Sequence, residues 1–310
     1  MRFAIIGQRD FGKAVLEAFL DRDDTVAGVF CAPEKPGTPP DELRVAAEER
    51  RIPVYQFASL KAEEARLALR ALDTDVGILA YVLQFVSQDF ATIPRHGTIQ
   101  YHPSLLPRHR GPSSINWSII RGDTHTGLTI FRPTDGLDEG PIILQKHTPI
   151  GPDDTVGSIY FDRLFPMGVA AVLEAADLLV SGSAATVQDE SQASYEGWCR
   201  SGEARINWHN HVDLIHDLIR GCDPAPAAWT LFKGKKLQLF GARKHAARTF
   251  SQVKGSVGAV TAIGEQSLSI AAQGGQIEVF KLRYDAGKKM AAPQLCAEIG
   301  LEPGSVLGDS

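Results

Sequence analysis

Short apolar runs alternate with helically spaced ones over the first 150 residues. Phe3-Ala4-Ile5-Ile6 and the runs at 26–30, 52–55 and 76–80 read as short strands, apolar throughout as strands covered on both faces are. Between them, residues 11–20, 41–50 and 60–71 repeat apolar positions at helical spacing. This strand–helix rhythm predicts an α/β fold, a Rossmann-like domain with a mostly parallel sheet. Residues 98–101 form the next predicted strand, running directly into a loop at His102. Further strands are expected at 127–131 and 142–147, and one long helical segment at 155–179.

The pattern changes after residue 180. Residues 181–202 are small and polar and are expected to be a linker. Residues 205–220 read as an amphipathic helix with Val212, Ile215, Leu218 and Ile219 on one side. Beyond Pro224 and Pro226, short strands with glycine-containing turns follow at 229–232, 236–240, 258–263, 267–271 and 276–282. The expected organisation is a domain at 1–203, its linker starting near 181, and a smaller β-rich, OB-like domain at 204–310.

Composition narrows the function. With 44% hydrophobic and 22% charged residues the chain has the make-up of a folded globular protein. A net charge of −5 argues against a large RNA partner, because phosphate contacts call for a basic excess. Cys31, Cys199, Cys222 and Cys296 are widely and irregularly spaced, with no C-x-x-C pair. Free thiols in a reducing cytoplasm are expected rather than a zinc site. The N-terminal apolar run is too short for a signal peptide or a membrane span, so no membrane partner is expected. Gly7-Gln8-Arg9-Asp10-Phe11-Gly12 misses the G-x-G-x-x-G fingerprint, which argues against NAD. His209, His211, Asp213 and His216 gather near one helix and read as its surface rather than as metal ligands. Trp198, Trp208 and Trp229 are expected in the core of the second domain.

The chemistry concentrates in Thr98-Ile99-Gln100-Tyr101-His102-Pro103-Ser104-Leu105-Leu106-Pro107-Arg108-His109-Arg110-Gly111. Two prolines and a glycine stiffen a loop that leaves a strand end, where ligands bind in open α/β sheets. Such a loop can hold His102 in one orientation. A second polar turn, Asp135-Gly136-Leu137-Asp138-Glu139-Gly140, lies between two strands and can reach the same end. Arg108 and Arg110 suit either an acidic ligand or structural ion pairs.

The runs YHPSLLPRHRG at 101–111 and DGLDEG at 135–140 resemble the two signatures of the formyltetrahydrofolate-dependent formyltransferases and hydrolases. The chain looks most like the hydrolase domain of 10-formyltetrahydrofolate dehydrogenase and shares the two-domain plan of methionyl-tRNA formyltransferase. IGQRDFG from residue 5, RINW at 205–208 and IRGCDPAPAAWT at 219–230 carry the likeness across both domains. It implies His102 and Asp138 as catalytic, with Gln100 at a position where the transferases carry Asn and the dehydrogenase an apolar Ile. It implies 10-formyltetrahydrofolate as formyl donor, its pterin in a slot made by Tyr81, Leu83, Gln84, Phe85, Leu105 and the backbone around Asp135, and no need for a metal. Water is the expected acceptor, giving tetrahydrofolate and formate in one-carbon metabolism. The alternatives are an amine, on methionyl-tRNA or an amino sugar, with the acidic balance weighing against tRNA. From another class comes a folate-binding module without turnover.

Overall fold

The computed structural model describes residues 1–247 and 255–308. Two compact units emerge: residues 1–111, 127–148 and 163–195 form the first, and 112–126, 149–162 and 196–310 the second.

The first unit is built on strands β1 (Arg2–Gly7), β2 (Thr25–Cys31), β3 (Val54–Gln56), β4 (Val76–Ala80), β5 (Thr98–His102), β6 (His125–Phe131) and β7 (Ile142–Pro149), in the order β3-β2-β1-β4-β5-β6-β7. The pairs from β3 through β5 are parallel, and β6 runs antiparallel to β5. Strand alternation sorts β1 onto two cores. Phe3 and Ile5 pack with Phe11, Ile78, Ile99 and Ala171 on one face. Ala4 and Ile6 pack with Phe30, Leu69, Leu79 and Phe90 on the other. Both faces are covered, which is why these strands read as unbroken apolar runs.

Helices α1 (Arg9–Asp21), α2 (Glu42–Glu49) and α3 (Glu63–Ala71) follow the predicted positions, and a single turn α4 (Gln88–Ala91) adds to them. Helix α1 buries Phe11, Val15, Leu16 and Phe19, one side of a 3.6-residue period. Asp41 caps α2 through the Leu43 N–H and also accepts the Arg9 N–H with both carboxylate oxygens, joining the starts of α1 and α2. Chain order reverses between β1 and β4, and ligands gather at such a point beyond the carboxyl ends. A small, shallow cleft lies there, lined in part by Gly7, Gln8, Leu60, Tyr81, Leu83 and Gln84.

The long helical segment expected at 155–179 is present, continuous from Val156 to Val180, with a widened turn inside it. After α5 (Ser114–Ile120) come a short α6 (Val156–Ile159), a wide turn at Tyr160–Leu164, and α7 (Phe165–Val180) with proline near its start. Pro166 can begin a helix but cannot donate inside one. Gly168 faces the Tyr101 and Phe11 rings, where a Cβ would lie 2.7 Å from Tyr101 and 3.0 Å from Phe11. The predicted linker carries structure of its own: Thr186 exchanges backbone hydrogen bonds with Ile142 at 2.7 and 2.8 Å.

The second unit holds α8 (Val212–Gly221), β8 (Ala228–Phe232), β9 (Lys235–Ala246), β10 (Val260–Ile263), β11 (Leu268–Ala272), β12 (Gly275–Tyr284), β13 (Met290–Ala291) and α9 (Ala292–Ile299). Its antiparallel sheet runs β10-β11-β12-β9-β8, with β13 on β12. Helix α8 starts at Val212, not at Arg205 as expected. The backbone ahead of it is committed elsewhere, because Ile206 N–H donates to the Trp229 carbonyl at 2.8 Å and Trp229 N–H to that of Ala204 at 2.9 Å. Trp208 is buried and Trp229 packs against the same core. Trp198, also expected there, is 48% exposed. Among the described residues no helix is long and apolar enough to cross a membrane. The four cysteines are buried and unbridged.

His216 of α8 is buried, its Nε2 donating to the Ala242 carbonyl at 3.1 Å and its Nδ1 without a partner among the described residues. Burial holds its pKa below the ordinary value; Arg220 and Lys244 add to the effect, while the Ala242 carbonyl and Asp217 oppose it. Asp153 also approaches its Nε2, at 3.9 Å. The unfolded chain therefore takes up a proton below about pH 6.5 that the folded one refuses, so stability is full above that pH and declines as pH falls. Urea unfolding should show a midpoint that drops between pH 7 and 5, and His216→Gln should flatten that slope; an unchanged slope in the variant would assign it to other groups.

Candidate active site

Residues two apart on a strand share a face, so β5 presents Gln100 and His102 together and turns Tyr101 the other way. Tyr101 packs there against the Phe11 ring, with centroids 4.4 Å apart. The loop after His102 is held at nearly every residue. Ser104 Oγ donates to the Arg108 carbonyl at 2.7 Å. Thr129 Oγ1 donates to the Ser104 carbonyl at 2.7 Å and accepts from Leu106 N–H at 3.1 Å and Gln145 Nε2 at 2.9 Å. The result is a preformed strand-end loop rather than a free one.

His102 is buried, and its Nε2 lies 2.8 Å from the His109 carbonyl. A carbonyl only accepts, so that nitrogen carries the proton. Nδ1 then faces Asp138, 3.6 Å from Oδ2. Asp138 sits in the turn between β6 and β7 with φ at 55° and is 8% exposed. Its Oδ2 accepts from Gly111 N–H at 2.8 Å and its Oδ1 from Gln100 Nε2 at 3.4 Å. The three residues expected to carry chemistry are thus brought together around one buried carboxylate. A carboxylate and an imidazole at this spacing can take a proton from one reacting atom and return it to another. The Gln100 amide keeps a second N–H to offer to developing negative charge.

Residues 188–195, which the sequence reading left in a linker, form the third side of this arrangement. Gln188 Nε2 donates to the carbonyls of Asp138 at 2.8 Å and Gly140 at 2.7 Å, while its Oε1 accepts from Arg110 Nε at 3.2 Å and Nη2 at 2.8 Å. The Arg110 side chain is wholly buried and pairs with both oxygens of Glu190, at 2.6 and 2.9 Å, and with the Tyr195 hydroxyl. The hydrogen bond between them is the main reason the Arg110 pKa is raised and the Glu190 pKa lowered. Tyr195 in turn donates to Glu139 at 2.7 Å. Ser194 Oγ accepts from His109 N–H at 2.8 Å. Of the two sequence readings of Arg110, the ion pair is the one formed. Nothing in the spacing of this polar stretch signals these contacts.

The remaining expected residues divide in two. Tyr81, Leu83 and Phe85 are exposed, Leu83 at 59%. Gln84 is a brace, accepting from Leu60 N–H at 3.1 Å and donating to the Phe57 carbonyl at 3.1 Å. Asp135 accepts the Gln88 N–H at 3.0 Å and ties the Asp138 turn to the segment after β4. Tyr81, Leu83 and Gln84 line the cleft at the sheet's reversal point, whereas Phe85, the half-buried Leu105 and Asp135 lie outside its lining. Among the described residues no group of His, Cys, Asp or Glu is arranged to hold a metal ion. His211 instead accepts the Asp213 N–H at the start of α8.

Residues 1–174 match the formyl transferase family, and residues 200–299 match the formyl transferase C-terminal domain. The chain is 42% identical over 246 residues to the cytosolic 10-formyltetrahydrofolate dehydrogenase of Mus musculus, covering 77% of this chain and 27% of the dehydrogenase. It therefore spans about a quarter of that protein's length. It is 32% identical over 314 residues to the methionyl-tRNA formyltransferase of Geotalea uraniireducens (strain Rf4), covering 99% and 98% of the two chains. HypX from Aquifex aeolicus, solved in complex with tetrahydrofolic acid, matches with a TM-score of 0.67 at 18% identity, covering 100% of this chain and 51% of that one. At that identity the likeness speaks for the fold alone.

The Asp138 turn has no room at Gly140, where a Cβ would stand 1.6 Å from the Arg132 carbonyl oxygen. Gly140→Ala is expected to lower stability by about 1–3 kcal/mol and to displace the turn. Urea unfolding checks this, and a midpoint equal to the parent's would show that the turn yields freely.

Proposed function

The chain belongs to the formyl transferase family, and on that premise we propose that it removes the formyl group of 10-formyltetrahydrofolate and passes it to water. The observation that carries the reading is the buried Asp138 carboxylate with the His102 imidazole 3.6 Å away and the Gln100 amide at 3.4 Å. Asp138 takes a proton from water as the water oxygen bonds to the formyl carbon, and the carbonyl electrons move onto oxygen. The second N–H of Gln100 and an N–H of the His102 ring stabilise that oxyanion, a contribution of about 10²–10³ in rate per donor. Asp138 returns its proton to the leaving nitrogen as the bond from carbon breaks, and tetrahydrofolate departs with formic acid, which ionises to formate. Tyr81, Leu83, Phe85 and Leu105 supply apolar surface for the flat pterin, with Gln84 and Asp135 holding its backbone wall. Domains at 1–203 and 204–310 belong to the same reading, as does a reducing cytoplasmic setting, which the unbridged cysteines support.

Water is preferred because identity to the dehydrogenase exceeds that to the transferase. A second reading, transfer to an amine, is favoured by the end-to-end match with methionyl-tRNA formyltransferase. The distinguishing experiment supplies 10-formyltetrahydrofolate with and without candidate amines and quantifies tetrahydrofolate and formate. Formate release without amine is expected; turnover that starts only on adding an amine would replace the first reading with the second. His102→Ala and Asp138→Ala should each lower kcat by about 10²–10⁴ while leaving the melting temperature near the parent's. A rate within a few-fold of the parent's in either would remove that residue from the mechanism. Folate binding with no turnover under any condition would point to a binding module.

A further inference from the structure

Asp138 holds a positive φ, a backbone region less favourable for a residue with a side chain than for glycine, and surrounding bonds hold it there. Its carboxylate is held by Gly111 and Gln100, but its backbone is held by Gln188. One amide nitrogen serves the carbonyls of both Asp138 and Gly140, which uses both of its hydrogens. The amide oxygen faces the Arg110 guanidinium, a group that only donates. The amide is therefore fixed in one orientation by the chemistry of its neighbours. Arg110 is immobilised by Glu190 and Tyr195, so the support runs from residues 190–195 through Arg110 and Gln188 to the turn. Gln188 is 5% exposed and lies outside the hydrophobic clusters. All of these bonds converge on the placement of Asp138 against His102.

We propose that Gln188 is a positioning residue for the formyl chemistry: it sets the rate by locking the Asp138 and Gly140 carbonyls, while the Asp135 end of the turn, which borders the folate slot, is held separately by the Gln88 N–H. The proposal rests on the formyl-removal reading of the His102–Asp138 pair. A displacement of about 1 Å at such a site can cost about 10² in rate.

Gln188→Glu separates this role from general packing. The shape stays, and the Arg110 partner stays, but the group facing two carbonyls changes from a donor to an acceptor. With 10-formyltetrahydrofolate as substrate, kcat should fall about 10²-fold while the Kd for tetrahydrofolate, read by fluorescence, stays within about twofold of the parent's. Gln188→Met, which removes the hydrogen bonds without adding charge, should show the same split and serves as the test should Gln188→Glu fail to melt cooperatively. A folded variant whose kcat stays within about twofold of the parent's overturns the proposal, and so does a loss of rate matched by an equal loss of tetrahydrofolate affinity. An unsubstituted protein that releases no formyl group, with or without amines, overturns the formyl reading instead and takes the proposal with it.

Discussion

A guanidinium with no exposed side-chain surface must find all its partners inside the protein, and Arg110 does so by drawing in Gln188, Glu190 and Tyr195. That requirement folds residues 186–195 back against the loop that follows β5. Its effects reach both halves of the site. On one side Ser194 accepts from the His109 N–H, and the His109 carbonyl accepts from the His102 Nε2–H. On the other, Gln188 takes the turn that carries Asp138. Exposed ion pairs of this kind add little by themselves. Here Glu190 is solvated while Arg110 is not, so the pair matters less for attraction between charges than for satisfying a cation that burial has cut off from water.

Backbone strain gathers in the same region. Tyr81, His109 and Asp138 all hold positive φ without being glycine, at 63°, 57° and 55°. Each belongs to a different wall: the segment after β4, the loop after β5 and the turn before β7. Side chains at such positions cost stability and persist only where surrounding bonds over-determine them. The bonds from Gln188 to the Asp138 and Gly140 carbonyls, and from Gly111 to the Asp138 carboxylate, are of that kind. The sheet supplies the rigid floor. Strands β1, β4 and β5 are locked in parallel register and covered on both faces, so positions at their carboxyl ends are set by the two cores beneath them.

The strands and helices of the first unit were legible because burial on both faces leaves an unbroken apolar run, and burial on one side of a helix leaves a 3.6-residue period. Gln100 and His102 were legible as a pair for the same local reason, two residues apart on one strand. The helical segment at 156–180 was legible from its apolar spacing, while the widened turn at 160–164 inside it was not. The start of α8 was not legible, since residues 204–206 bond to Trp229 and that partner lies some two dozen positions away.

By itself, the sequence determined the mostly parallel sheet, the β-rich second part and the residues at the end of β5, because each depends on spacing within a few positions. Tertiary structure alone decided that His102, Asp138 and Gln100 meet around one carboxylate, and that a polar stretch with no periodicity becomes the site's third wall. Those outcomes depend on hydrogen bonds between groups as far apart as Arg110 and Gln188, 78 positions along the chain. Such bonds leave no periodic trace, since what selects them is the need of a buried polar group for a partner and not the repeat of any local element.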